Sequence, residues 1–302
     1  MINNIYQLVA PKSIAVKFED VGTHNKVLVR PRYMAICHAD QRYFQGKRDP
    51  QVMNRKLPMA LIHECSGEVL FDPTGTFEVG APVVLIPNVP GEPSEGIFEN
   101  YAKGSGFLSS GRDGFMREFV DIDPGRVISC EGVQHQVSAI TEFLSVTAHA
   151  YHRFDLAAHS KRDRLAIIGD GSMAYALACM LSVLAPESDL VVIGRNSEKL
   201  SLFTFAAARY LTCEVPGDRS FDHAFECAGG EGSAAAIDMA ISFIAPQGTL
   251  VLLGVSERSV PVYTRNVLEK GMTIVGCSRS GRADFETAVA AMRGEDMQRR
   301  LR

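Results

Sequence analysis

Residues 165–199 read LAIIGDGSMAYALACMLSVLAPESDLVVIGRNSEK, and this stretch decides the fold. A short apolar run, Leu165–Ile168, breaks into Gly169-Asp170-Gly171-Ser172-Met173-Ala174, and an Ala- and Leu-rich helix follows. A second apolar run, Leu190–Ile193, closes a βαβ unit. Each small residue of the G-x-G-x-x-A spacing has a mechanical part. Gly169 permits the tight turn out of the strand, Gly171 lets a pyrophosphate approach the backbone, and Ala174 lets the helix lie close on the sheet. The anion then meets the free N–H groups at Ser172 and Met173, where the helix dipole is positive. The bare pattern also fits a simple strand–helix turn. Its flanking strand and helix favour dinucleotide binding.

A carboxylate about twenty residues beyond the last small residue would bond the adenosine ribose 2′-OH and select NAD. The second strand instead ends at Gly194, followed by Arg195, Asn196, Ser197, Glu198 and Lys199. With no acid at the strand end, Arg195 and Lys199 are candidates to hold a 2′-phosphate, which points to NADP. On this reading, Gly194→Asp with Arg195→Ala is the expected switch to NADH.

The remaining strand and helix candidates extend this unit outward. Strands are expected at Tyr210–Glu214, His223–Cys227, Thr249–Leu253 and Met272–Gly276, and helices at Ser197–Ala207, Glu231–Phe243, Arg265–Lys270 and Ala283–Met292. The alternation describes a doubly wound parallel sheet. Residues from about Ser138 to Leu156 read as helix. Ahead of them the chain is β-rich, with runs at Ile14–Phe18, Lys26–Pro31, Cys65–Phe71, Pro82–Pro87 and Phe115–Val120 separated by turns. Asn88–Gly114 is long, rich in Gly, Pro and Ser, and weakly patterned, as functional loops often are. The expected architecture is α/β, a Rossmann sheet plus an N-terminal β-barrel domain. Its segments are residues 1–145, 146–285 and 286–302.

The 302 residues are 46% hydrophobic, enough for two cores, and the net charge of −4 argues against a nucleic-acid partner. No apolar stretch reaches membrane-spanning length and the first residues lack a signal pattern. Seven scattered cysteines suit a reducing cytoplasm rather than a disulfide framework.

The β-rich part carries a second chemistry. Cys37 lies in Ile36-Cys37-His38-Ala39-Asp40, His63 and Glu64 in Leu61-Ile62-His63-Glu64-Cys65, and Glu142 in Ala139-Ile140-Thr141-Glu142-Phe143. Thiolate, imidazole and carboxylate together suit a catalytic zinc with an open position, since structural sites are usually closed by Cys and His. Such a metal polarises a carbonyl for hydride attack. Asp40 is a candidate to orient a ligand imidazole, or else to begin the helix after it.

Taken together, ICHAD, LIHECSGEV, DGFMREFV, GDGSMA, FECAGG and GTLVLLGV resemble the zinc-dependent medium-chain alcohol and polyol dehydrogenases, with their GroES-like catalytic domain. Among these, YQLVAPK, RYMAICHADQRYFQG, KLPMALIHE, SSGRDGFM, FDHAFECAGG, LLGVSE and TRNVLEKGMTIVGCSRSG resemble the ribulose-5-phosphate reductases. The resemblance spans essentially the whole chain. It implies zinc at Cys37, His63 and Glu64, with Glu142 as a further, exchangeable ligand, and NADPH at Gly169–Ala174 and Arg195–Lys199. It further implies reduction of D-ribulose 5-phosphate to D-ribitol 5-phosphate for CDP-ribitol and teichoic-acid or capsule polymers. A cytoplasmic homodimer coupled to a cytidylyltransferase is expected.

Three departures stand out. Ala39 replaces the Ser or Thr that relays the alcohol proton in alcohol dehydrogenases, so the proton must travel by water, Glu64 or His38. Asn88–Gly114 holds no cysteine, so the structural-zinc lobe is missing. The resemblance also implies a longer return segment, so either residues 286–302 are its truncated start or the first domain lacks strands that normally close it. Arg42, Lys103 and Arg112 are the candidates for a substrate phosphate. Two alternatives are an NAD(P)-dependent dehydrogenase of an unphosphorylated polyol such as sorbitol or xylitol, and an inactive nucleotide-binding scaffold.

Overall fold

The structure, a computed structural model, describes residues 1–22, 24–218 and 220–302. The chain sorts into two units, Met1–Ser145 with Arg279–Arg302, and Val146–Ser278.

The first unit opens with β1 (Ile2–Ala10), β2 (Ser13–Asp20) and β3 (Val27–Ala35), then helices α1 (His38–Phe44) and α2 (Pro50–Lys56). Strands β4 (Met59–Ala60), β5 (Glu64–Phe71), β6 (Pro82–Leu85), β7 (Asn88–Val89), β8 (Gly106–Phe107), β9 (Val120–Ile122) and β10 (Val127–Ser129) follow. After them come α3 (His135–Ser138) and α4 (Thr141–Ala157), whose first residues still count with this unit. Five strands form an antiparallel sheet in the order β10-β6-β5-β3-β9, and β1 lies between β2 and β4 in another. Leu8, Val29, Met59, Val69, Val83, Leu85 and Phe115 share one core, the inward side of strands whose side chains alternate.

Two differences from the sequence reading bear on the site. Asn3, Asn4 and Gln7 break the apolar period of β1, which is a strand because β2 pairs along one edge while β4 and the Met116–Glu118 backbone bond the other. Conversely, the apolar run Phe115–Val120 is strand only from Val120. Phe115 and Met116 bond the carbonyls of Ile62 and Leu61 at 2.7 and 3.1 Å instead, and the buried Phe115 ring anchors the segment just before His63.

In the second unit β11 (Arg164–Ile168), α5 (Ser172–Leu184), β12 (Asp189–Gly194), α6 (Ser197–Ser201), β13 (Ala208–Leu211) and β14 (His223–Glu226) alternate. The pattern continues through α7 (Ser233–Phe243), β15 (Thr249–Leu252), α8 (Thr264–Lys270) and β16 (Thr273–Gly276). The six strands are all parallel, in the order β13-β12-β11-β14-β15-β16. This order reverses beside β11, where doubly wound sheets bind their ligands. Leu165, Ile167, Leu177 and Val192 pack on one face and Ala166, Ile168, Val191 and Ile237 on the other, so these strands read as continuous apolar runs.

The helix expected over Ser197–Ala207 stops at Ser201. Ala207 N–H must reach the Leu190 carbonyl to start the pairing of β13 with β12, so the chain leaves the helix early, burying Leu200 and Phe203. The helix expected over about Ser138–Leu156 is α4, which starts three residues later, after the short α3. Burial holds the His223 pKa down to about 4, and the neutral ring accepts from Thr249 N–H and donates to the Lys161 carbonyl. That histidine is structural.

The chain rejoins the first unit at Arg279, just ahead of α9 (Arg282–Met292) and α10 (Glu295–Arg300), and so earlier than residue 286. Among the described residues no helix is long and apolar enough to cross a membrane.

Candidate active site

Backbone register assembles the metal-type cluster in the first unit. Ala35 at the end of β3 pairs with Glu64 at the start of β5, so the turn carrying Cys37 falls beside His63 and Glu64. Cys37, His63 and Glu64 each place one ligand atom within 4.8 Å of the others. The thiol of Cys37 caps α1, accepting from Ala39 N–H at 3.5 Å, so this end of the cluster is anchored before any metal arrives.

His63 is oriented from behind. Its Nδ1 lies 2.8 Å from Ser109 Oγ and 3.5 Å from Asp40 Oδ1, which leaves Nε2 for a ligand. The Asp40 carboxylate also accepts from the backbone N–H of Cys37 (3.2 Å) and of Ile62 (3.0 Å). It does not begin the helix: Cys37 is the N-cap, and Asp40 stands inside α1 at its third position, bonding back to the cap N–H. Ile62 sits at φ +71°, a left-handed backbone unusual for a β-branched residue. Asp40 holds its N–H and Phe115 N–H holds its carbonyl.

The electrostatics fit a cation. Burial pushes Glu64 up to about 8, aided by the nearby Glu142 carboxylate and opposed by His63. Burial likewise raises Glu142, although His63 opposes it. Burial works to lower His63, yet the bonds to Asp40 and Cys37 and the Glu142 charge outweigh it and raise it well above an ordinary histidine. A divalent ion would relieve the crowded carboxylates and release the imidazole proton. Glu142 is buried and electrostatically coupled to His63 and Glu64, but its ligand atom is outside the trio that meets within 4.8 Å.

The nucleotide turn lies in the other unit. Gly169 has φ +137°, and a Cβ there would come 2.9 Å from the Cys227 carbonyl carbon, so only glycine fits this turn. A Cβ at Gly171 would meet nothing within 4 Å: the space above the start of α5 is open, a cradle for a phosphate. Ser172 is exposed there, Met173 is half-buried, and Ala174 is fully buried against the sheet. A cavity of about 600 Å³ is lined by Gly169, Asp170, Gly171, Gly194, Arg195 and Lys199 among others, and this fits a dinucleotide.

One expectation is corrected here. The sequence reading finds no acid at the end of β12, but the Asp170 carboxylate reaches that point from the preceding turn. It accepts from Arg195 N–H at 2.6 Å and Asn196 N–H at 2.8 Å. Gly194 is what admits it, since a Cβ at 194 would lie 2.6 Å from Asp170 Cβ. The turn is thereby fixed with the Arg195 and Lys199 side chains on the cavity wall.

The three phosphate candidates are scattered. Arg42 donates to the Lys47 carbonyl, Lys103 is 86% exposed beside Glu92, and Arg112 lines a surface cavity with Lys17, Lys26 and Asp113. Ser109 and Asp170 escaped the sequence reading. Nothing marks a serine in Ser109-Ser110-Gly111 as a histidine partner, whereas an acid inside a phosphate-binding turn is a readable oddity.

A thiolate–imidazole–carboxylate cluster in an antiparallel β unit, joined in one chain to a doubly wound dinucleotide unit, defines a class of metal-assisted oxidoreductase. Residues 23–132 match the alcohol dehydrogenase GroES-like domain and residues 207–293 the zinc-binding dehydrogenase family. The chain belongs to the zinc-binding dehydrogenases. It is 53% identical to the ribulose-5-phosphate reductase of Streptococcus pneumoniae, across 100% of this chain and 88% of that protein. The crystal structure of S. aureus TarJ in complex with NADPH is 40% identical with a TM-score of 0.87, covering 100% of this chain and 88% of that one. Sorbitol dehydrogenase 2 of Saccharomyces cerevisiae is 25% identical across 84% of this chain and 76% of that protein.

Proposed function

We propose that the protein reduces the C2 ketone of D-ribulose 5-phosphate with NADPH, giving D-ribitol 5-phosphate. The observation that carries this is the convergence of Cys37, His63 and Glu64 within 4.8 Å, in a chain 53% identical to a ribulose-5-phosphate reductase. When bound, zinc supplies a Lewis acid for the ketone oxygen, and NADPH supplies the hydride.

The chain's own residues prepare for both. Cys37, His63 and Glu64 hold the metal, with Glu142 as a further ligand, and Ser109 and Asp40 keep His63 Nε2 aimed at it. Gly169–Ala174 form the pyrophosphate turn, while the Arg195 guanidinium and Lys199 ammonium take the 2′-phosphate. Ala39 has no hydroxyl, so the proton completing the alcohol comes through water, Glu64 of the metal set itself, or His38, which follows Cys37 in sequence. The product suits a cytidylyltransferase making CDP-ribitol for teichoic-acid or capsule polymers, in a cytoplasmic homodimer.

Metal analysis with an NADPH-oxidation assay tests the reading. Stoichiometric zinc and NADPH turnover with D-ribulose 5-phosphate are expected. Turnover confined to unphosphorylated ketoses would instead make this a polyol dehydrogenase, and no zinc with no turnover would make it a scaffold.

A further inference from the structure

The turn where the chain rejoins the first unit carries an arginine with no part in the metal-type cluster or the nucleotide turn. Arg279 sits at φ +60°, a backbone region costly for a residue with a side chain. Its neighbours pin it there. Ser280 is 1% exposed and its Oγ lies 2.7 Å from Ser145 Oγ. Because the Ser145 hydroxyl donates to the Glu142 carbonyl, the proton between the two serines belongs to Ser280. Gly281 N–H donates to the Asp284 carboxylate at 2.7 Å and Arg282 N–H to Glu99 Oε1 at 2.6 Å. The turn is thus tied to the first residues of α4, on which Glu142 stands.

The two arginines of this turn differ. Arg282 spends its guanidinium on the Gly125 carbonyl and the Glu286 carboxylate. Among the described residues, Arg279 has neither a carboxylate nor a carbonyl partner. Its guanidinium lies over the Phe107 ring, 5.5 Å from the centroid. The same ring meets the His63 imidazole edge-on at 5.3 Å. Phe107 therefore links the metal-type cluster to a cation that has no carboxylate among the described residues, and a guanidinium held over a ring face still has N–H groups to offer an anion.

We propose that Arg279 binds the phosphate of the substrate, in place of Arg42, Lys103 or Arg112. This rests on the sugar-phosphate reading of the same site. Five single bonds separate the C2 carbon from phosphorus in a pentulose 5-phosphate, a reach of roughly 6 Å. A ketone oxygen at the Cys37–His63–Glu64 cluster leaves the phosphate beyond the Phe107 ring, where Arg279 can make a two-pronged contact. The strained turn is the device that presents the side chain.

Arg279→Met and Arg279→Gly test this together. The first keeps side-chain bulk. The second accepts the left-handed backbone without strain, so it raises Tm or leaves it unchanged. In both, the ratio of kcat/KM for D-ribulose 5-phosphate over D-ribulose should fall about 10- to 100-fold, mainly through KM for the phosphorylated ketose. The Kd for NADPH, followed by fluorescence, should stay within about twofold of the unmodified chain. An unchanged ratio in Arg279→Gly overturns the proposal. So does a matching loss of NADPH affinity with the ratio intact, which would assign Arg279 to the coenzyme. If the unmodified chain does not prefer the phosphorylated ketose, the sugar-phosphate reading itself falls, and this proposal with it.

Discussion

The metal-type cluster and the nucleotide turn are built by opposite means. The cluster is made of side chains from distant segments: Cys37 from the β3–α1 turn, His63 and Glu64 at the start of β5, Ser109 from a long loop, and Glu142 from α4. They meet in a buried place where every charge is costly, so Glu64 is driven up to about 8 and Ile62 is held in a strained backbone. The nucleotide turn is made of backbone from one contiguous stretch, and its cations are exposed. A side-chain site of the first kind fails sharply when one member is changed, while a backbone site with exposed charges weakens by degrees.

The sharpest break in that contrast is Cys37→Ser. A neutral hydroxyl replaces a soft thiolate, so zinc retention and turnover should both collapse. Losing an electrophile worth several kcal/mol corresponds to about a thousandfold in kcat/KM or more. NADPH binding, built in the other unit, should survive. Near-normal zinc content and rate in this variant would rule out the ligand assignment.

A milder change probes the support of the cluster. Ser109→Ala removes the 2.8 Å partner of His63 Nδ1 but leaves Asp40 Oδ1 at 3.5 Å. Zinc affinity, measured by competition with a chelator, should drop about tenfold, the low end for loss of a group that orients a ligand. A drop as large as that of Cys37→Ser would show that Asp40 contributes nothing to aiming the ring.

This contrast also explains what could be read from the sequence. The turn at Gly169–Ala174 was legible because one stretch carries its whole geometry, and the parallel strands announced themselves as apolar runs. Cys37, His63 and Glu64 were legible as residue types, yet their meeting depends on the Ala35–Glu64 register, which no local pattern encodes. Ser109 and Arg279 are not legible in the sequence, because the side chains they face, His63 and Phe107, lie far away along the chain. β1 was missed for a related reason: its neighbours, rather than its own alternation, make it a strand.

The smallest effect expected is in coenzyme choice. Because the Arg195 side chain is exposed, its ion pair with the 2′-phosphate is worth only about 1 kcal/mol, so Arg195→Ala should lower the preference for NADPH over NADH by about fivefold. The loss should shrink at high salt because the side chain is exposed. The natural companion change, Gly194→Asp, would not complete a switch to NADH. Its Cβ would fall 2.6 Å from Asp170 Cβ and 2.7 Å from Asp170 Oδ2, breaking the carboxylate's grip on Arg195 N–H and Asn196 N–H and setting two negative charges side by side. Gly194→Asp alone should therefore weaken both coenzymes, whereas Gly194→Asp with Asp170→Gly makes room and leaves one carboxylate to accept from the 2′-OH of NADH. Steady-state kcat/KM with each coenzyme, at fixed ketose phosphate, separates the cases. A Gly194→Asp variant that gains NADH activity with Asp170 still in place would show that the turn yields easily, and that Asp170 does not set its shape.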